Sequence, residues 1–181
     1  MKLTYLDHVS ATPLHPEVKK AIVDYIDKDG CGNPMGQHRV GDQASEMLEG
    51  ARSQVARLIG AGPGEIVFTS GGTESTNQAI KGVAFAKAKK GKHIITSNIE
   101  HQSVSRPLRV LMRMGFEVTS VGVDEYGMVD PEEVKRMIRS DTILISIMHA
   151  NNEIGTLEPV AEIGKIAKEK DVVFHTDAVA S

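Results

Sequence analysis

From residue 66 onward the chain alternates short apolar runs with longer stretches of helical periodicity, and this alternation constrains its fold more than any other feature. The apolar runs are Ile66-Val67-Phe68, His93 to Thr96, Phe116 to Val121, Thr142 to Met148 and Val172 to His175. Between them lie helix-like segments, Glu74 to Lys89, around Val104 to Met114, Glu132 to Arg139 and Val160 to Lys170. Strands that alternate with helices predict an α/β domain with a mainly parallel open sheet and flanking helices. Ahead of it, Pro13 to Lys28 has apolar residues at helical spacing, with Gly30 just past its end. A glycine-rich loop over 30–41 follows, then a second helical pattern from Gln43 to Ile59. The expected division is 1–60 as an arm with two helices and 61–181 as the α/β part.

With 181 residues the chain has room for one core and little more. A net charge of -3, with Lys and Arg scattered rather than clustered, gives no footprint for nucleic acid. The first residues have neither a signal-peptide core nor a transit pattern, and no apolar run approaches the roughly 18 residues of a membrane span. Neither nucleic acid nor membrane is therefore an expected partner. The single cysteine, Cys31, has no internal partner for a disulfide, which fits a reducing, cytoplasmic setting.

Four polar stretches sit just after the expected strands, at the edge where open α/β sheets bind ligands. In EIVFTSGGTES, residues 65–75, Gly71, Gly72 and Thr73 lie between a strand and a helix start. They suit either an anion cradled at the helix amino end or a tight turn capped by Thr73. Glu100-His101 pairs a carboxylate with an imidazole that could act as a base, bind a metal or lie against an aromatic ring. His93, His149 and His175 could join His101 around zinc, but no HxxxH spacing and no second cysteine support that. MHANNEIG, residues 148–155, supplies Asn151 and Asn152 either to orient a ligand oxygen or to close a turn. Asp177, in FHTDAVAS, could meet a ligand cation or cap a following helix.

Together these stretches resemble the cysteine desulfurases of the NifS/IscS group, within the class V aminotransferases and the fold-type I pyridoxal-phosphate enzymes. The resemblance extends to Ala11-Thr12-Pro13, GNP at 32–34, His38, Asn77, GKHIITS at 91–97 and GFEVTSV. It implies the fold-type I large domain, here truncated to its amino-terminal half, and pyridoxal 5'-phosphate as cofactor. In that likeness Gly72 and Thr73 hold the phosphate, and His101 stacks on the ring as the catalytic histidine. Asn152 bonds the 3-hydroxyl oxygen, and Asp177 pairs with the pyridine nitrogen. The implied reaction converts L-cysteine to L-alanine, with sulfur passing to an enzyme thiol and then to an acceptor or an iron-sulfur scaffold protein.

The lysine that such enzymes carry in a serine-x-histidine-lysine stretch does not occur in these 181 residues, and Cys31 does not match the persulfide cysteine. The chain alone is therefore expected to be inactive, and a non-catalytic interaction or scaffold protein on the same fold is the alternative. Ala180 stands where the family commonly has glutamine, and His8-Val9-Ser10 departs from the usual arm. The first strand, Glu65 to Ser70, is expected at a sheet edge with no neighbour. An unpaired apolar edge invites association, so a homodimer, a complementing chain or a rearrangement is expected.

Overall fold

The computed structural model describes residues 4–28 and 32–181. Cys31 lies outside the described residues. One compact unit runs to Phe68 and a second from Thr69 to Ser181.

The first unit carries helices α1 (Pro16–Lys28) and α2 (Arg39–Ile59). Helix α2 starts four residues ahead of the expected Gln43 because His38 caps it, its side chain accepting from the Gly41 N–H. It ends at Gly60, whose left-handed φ of 70° lets its N–H return to the Ala56 carbonyl. The expected strand at Ile66-Val67-Phe68 does not form. After a 3-10 turn at Pro63–Glu65 the backbone is extended at Ile66, but the segment joins no ladder. Arg52 takes its place as a partner: the guanidinium donates to the Ile66 carbonyl and lies over the Phe68 ring. An apolar run becomes a strand only when another backbone can pair with it, and among the described residues none does.

The second unit is α3 (Gly72–Lys87), β1 (His93–Ser97), α4 (Gln102–Arg113), β2 (Glu117–Val121), α5 (Pro131–Met137), β3 (Thr142–Ser146), α6 (Val160–Glu169) and β4 (Val173–His175). Its four strands make one sheet in the order β2-β1-β3-β4, with every pair parallel. The four remaining expected strands thus all form, and the expected architecture stands with four strands instead of five. Strands β1 and β3 are buried along their whole length, as central strands covered on both faces must be. One face packs Ile94 and Leu144 against Ile80 and Ala84 of α3 and Val104, Leu108 and Leu111 of α4. The other packs Ile95 and Ile145 against Val134 of α5 and Ile163 and Ala167 of α6. A register shift leaves Ile143 out of the β1–β3 pairing, and it joins Leu144 in the first cluster.

Candidate functional site

Three connections meet beyond the carboxyl ends of the strands: 98–101 after β1, 147–158 after β3 and the turn over 176–181 after β4. Backbone and side-chain bonds stitch them together. His149 N–H donates to the Asp177 carbonyl at 2.8 Å, and the Asn151 side-chain amide donates to the Ile99 carbonyl at 3.1 Å. Asn151 Oδ1 accepts in turn from the N–H groups of Glu153 and Ile154. The two asparagines therefore divide the roles the sequence left open. Asn151 is buried and closes the turn, whereas Asn152 is half-buried and, among the described residues, its side chain has no hydrogen bond.

The amino end of α3 is open. Its N-cap is Gly71, without a side-chain cap, so Thr73 is the second helical residue and not the cap the sequence allowed. Glu74 at the third position turns its carboxylate back onto the Ser70 N–H and hydroxyl, which draws it below the usual carboxylate range. The first N–H groups of the helix are left for an anion to use. Gly71 has φ 156° and ψ -179°, a conformation essentially confined to glycine. A Cβ on Gly72 would come within 2.5 Å of Val179 Cγ2, so this turn and the one bearing Asp177 touch closely.

His101 and Asp177 lie on either side of Ser103. His101 is the N-cap of α4, and its Nδ1 accepts from the Ser103 N–H at 3.1 Å, which leaves the ring proton on Nε2. Ser103 Oγ sits 2.9 Å from that same Nδ1 and 3.3 Å from Asp177 Oδ2, so its single proton serves one of these two acceptors at a time. Asp177 is buried, and its other oxygen accepts from the Val179 N–H at 3.1 Å, closing a turn and not capping a helix. Ser103 had no distinguishing signal in the sequence beyond its place two residues after a histidine that could cap.

Asn77 ties the two helices. Pro107 lacks the N–H that would reach back four residues, so the Ser103 carbonyl is free inside α4. Asn77 Nδ2 approaches that carbonyl at 3.5 Å and bonds the Thr73 carbonyl at 3.0 Å. Between α3 and α4 a cleft of about 350 Å³ opens, lined by Thr73, Asn77, Lys81, His101, Ser103 and Arg106. The uncapped helix start, the exposed imidazole and the two cations of the cleft suit an anionic ligand, and Asp177, buried behind Ser103 and not part of the cleft lining, offers a carboxylate for a basic group.

The remaining histidines do not converge. His93 is bonded by the hydroxyls of Thr142 and Thr119, His175 by Ser146 and His149 by Ser181. Among the described residues no group of three or more His, Cys, Asp or Glu could hold a metal ion. No helix among them is long and apolar enough to cross a membrane. Ala180 is exposed and offers no side-chain hydrogen bond where a glutamine would.

The chain is 55% identical over 175 residues to the cysteine desulfurase IscS of Dictyoglomus turgidum, covering 97% of this chain and 44% of that protein. It is 52% identical over 178 residues to the IscS of Methanosarcina thermophila, covering 98% and 44%. Among solved structures, a NifS-like protein superposes with TM-score 0.90 at 38% identity, covering 95% of this chain and 47% of its own. SspA in complex with cysteine superposes with TM-score 0.91 at 39% identity, covering 97% and 50%. The chain thus spans half or less of the length of these relatives. Its match to the family described as aminotransferase class-V runs over residues 4–181, and with the parallel sheet and the site at its carboxyl edge it establishes that the chain belongs to that family.

Proposed function

We propose that this chain is the cofactor-side portion of a pyridoxal-phosphate-dependent cysteine desulfurase. The parent reaction would take L-cysteine to L-alanine and pass sulfur to an enzyme thiol, for delivery to an acceptor or an iron-sulfur scaffold protein. The observation that carries the reading is the grouping of His101 and Asp177 on either side of Ser103 Oγ, beside the uncapped start of α3. When bound, pyridoxal phosphate supplies an electron sink that stabilises negative charge on a substrate carbon.

The residues present fit that group. The backbone at Gly72 and Thr73 offers N–H donors to a phosphate, and Asp177 offers a carboxylate, already oriented by two donors, to a protonated ring nitrogen. Asn152 has a free side-chain amide for a phenolic oxygen. His101 can lie over the ring and presents Nε2 as the nitrogen able to give a proton. Because the 181 residues contain no serine-x-histidine-lysine stretch, we propose that they do not turn over cysteine by themselves.

Absorbance titration of the chain with pyridoxal phosphate tests the reading. Saturable binding is expected, weakened about tenfold or more in Asp177→Asn, since a charge-assisted hydrogen bond is worth about 1.5–3 kcal/mol. His101→Ala should weaken it less. Absence of saturable binding would instead favour a non-catalytic interaction protein on this fold, a reading to which the absence of the serine-x-histidine-lysine stretch from these residues lends support.

A further inference from the structure

Glu100 and His101 are adjacent in sequence but do different work. Where His101 faces the cleft, Glu100 turns inward beneath the loops. Its Oε1 accepts from the Ser97 hydroxyl at 2.6 Å, at the end of β1, and from the Met148 N–H at 2.9 Å, just past β3. Its Oε2 is buried without a hydrogen-bond partner. The charges that bear on it are two carboxylates, Asp177 after β4 and Glu158 ahead of α6. Among the described residues no cation is paired with it. Glu158 is itself buried, with one oxygen accepting from the Val129 N–H and the other without a partner.

Glu100 is half-buried, but a carboxylate with one oxygen buried and unsolvated, under the influence of two others, is costly as an anion and comfortable as an acid. As an acid it still accepts the Ser97 and Met148 bonds at Oε1. The bonds at Oε1 favour the anion, but burial outweighs them and pushes the Glu100 carboxyl up to about 7.

We propose that Glu100 is a positioning residue: in its protonated form it clamps the loop that carries His101 to the loop that carries Asn152, and its ionisation loosens that clamp. Asn151, bonded to Ile99, is a second stitch across the same gap that does not titrate. What the two loops serve rests on the cofactor reading above; the clamp itself does not.

Hydrogen exchange at the Met148 amide of the full chain, followed from pH 6 to 8 and corrected for intrinsic exchange, reads the clamp without any cofactor. If opening returns the carboxyl from about 7 to its ordinary 4.5, protection falls about tenfold over that interval. Glu100→Gln keeps an acceptor for Ser97 and Met148 but cannot ionise, so its protection should not change with pH. Glu100→Ala should lose protection at every pH. Equal pH dependence in the wild type and Glu100→Gln would overturn the proposal, as would flat protection in both. Pyridoxal-phosphate affinity over the same range gives the link to the site: it should decline more steeply with pH in the wild type than in Glu100→Gln. Parallel affinity profiles alongside the expected exchange would leave the clamp intact and overturn its role in positioning.

Discussion

Two adjacent glycines at the start of α3 are held by different forces, and substitution separates them. Gly71 is fixed by its backbone, since φ 156° with ψ -179° strains any side chain; Gly71→Ala should cost about 1–3 kcal/mol in urea unfolding. Gly72 is fixed by its neighbour, because an added methyl meets Val179 Cγ2. Val179 is 73% exposed and can give way, so Gly72→Ala should cost less stability than Gly71→Ala. It should instead displace the turn that carries Asp177 and weaken pyridoxal-phosphate binding. Equal losses of stability would mean that the Val179 turn is more rigid than its exposure implies. The GGT string showed that this turn was special, but Val179, distant in sequence, could not be named as the reason.

At the scale of elements, β1 is fastened to both neighbours by one side chain. His93 is fully buried at its start, bonded to Thr142 of β3 and Thr119 of β2. Burial, with a smaller contribution from Arg139, holds its pKa below the ordinary 6.5. His175 on β4 is shifted the same way, chiefly by burial. At these two groups the folded state therefore binds fewer protons than the unfolded chain near pH 6, the reverse of Glu100, whose raised carboxyl keeps its proton there. These histidines contribute no loss of stability above pH 6.5, but stability falls as pH drops below it, by at most about 1.4 kcal/mol per pH unit for each histidine. Glu100 acts in the opposite direction over this range, so the test is a difference: in denaturant unfolding between pH 5 and 7.5 the wild type should lose more stability toward acid than His93→Gln. An unchanged slope would assign the acid sensitivity to other groups. Helix α4 carries a comparable device: Pro107, inside the helix, lacks the N–H that would bond the Ser103 carbonyl, and Asn77 approaches that carbonyl from α3.

For the whole molecule, the sheet has two edges. Among the described residues strand β4 pairs only with β3, and the 66–68 segment joins no sheet. Exposed backbone at an apolar edge favours pairing with another chain. Sedimentation at micromolar concentrations should therefore reveal species heavier than the single chain. A monodisperse monomer that melts cooperatively would argue that these edges are protected in solution.

The sequence by itself determined the alternation of strand and helix from residue 72 onward, the covered sheet and the identity of the polar strings at its edge. Those follow from local periodicity and from glycine and proline chemistry, which act over a few residues. Tertiary structure alone decided that 66–68 remains outside the sheet and that Asn151 closes a turn while Asn152 stays free. It also decided that Glu100 faces inward while His101 faces out, and that Ser103 lies between His101 and Asp177. Each of these depends on a partner tens of residues away, and pairing, burial and charge at that distance are properties of the packed chain and not of any local pattern.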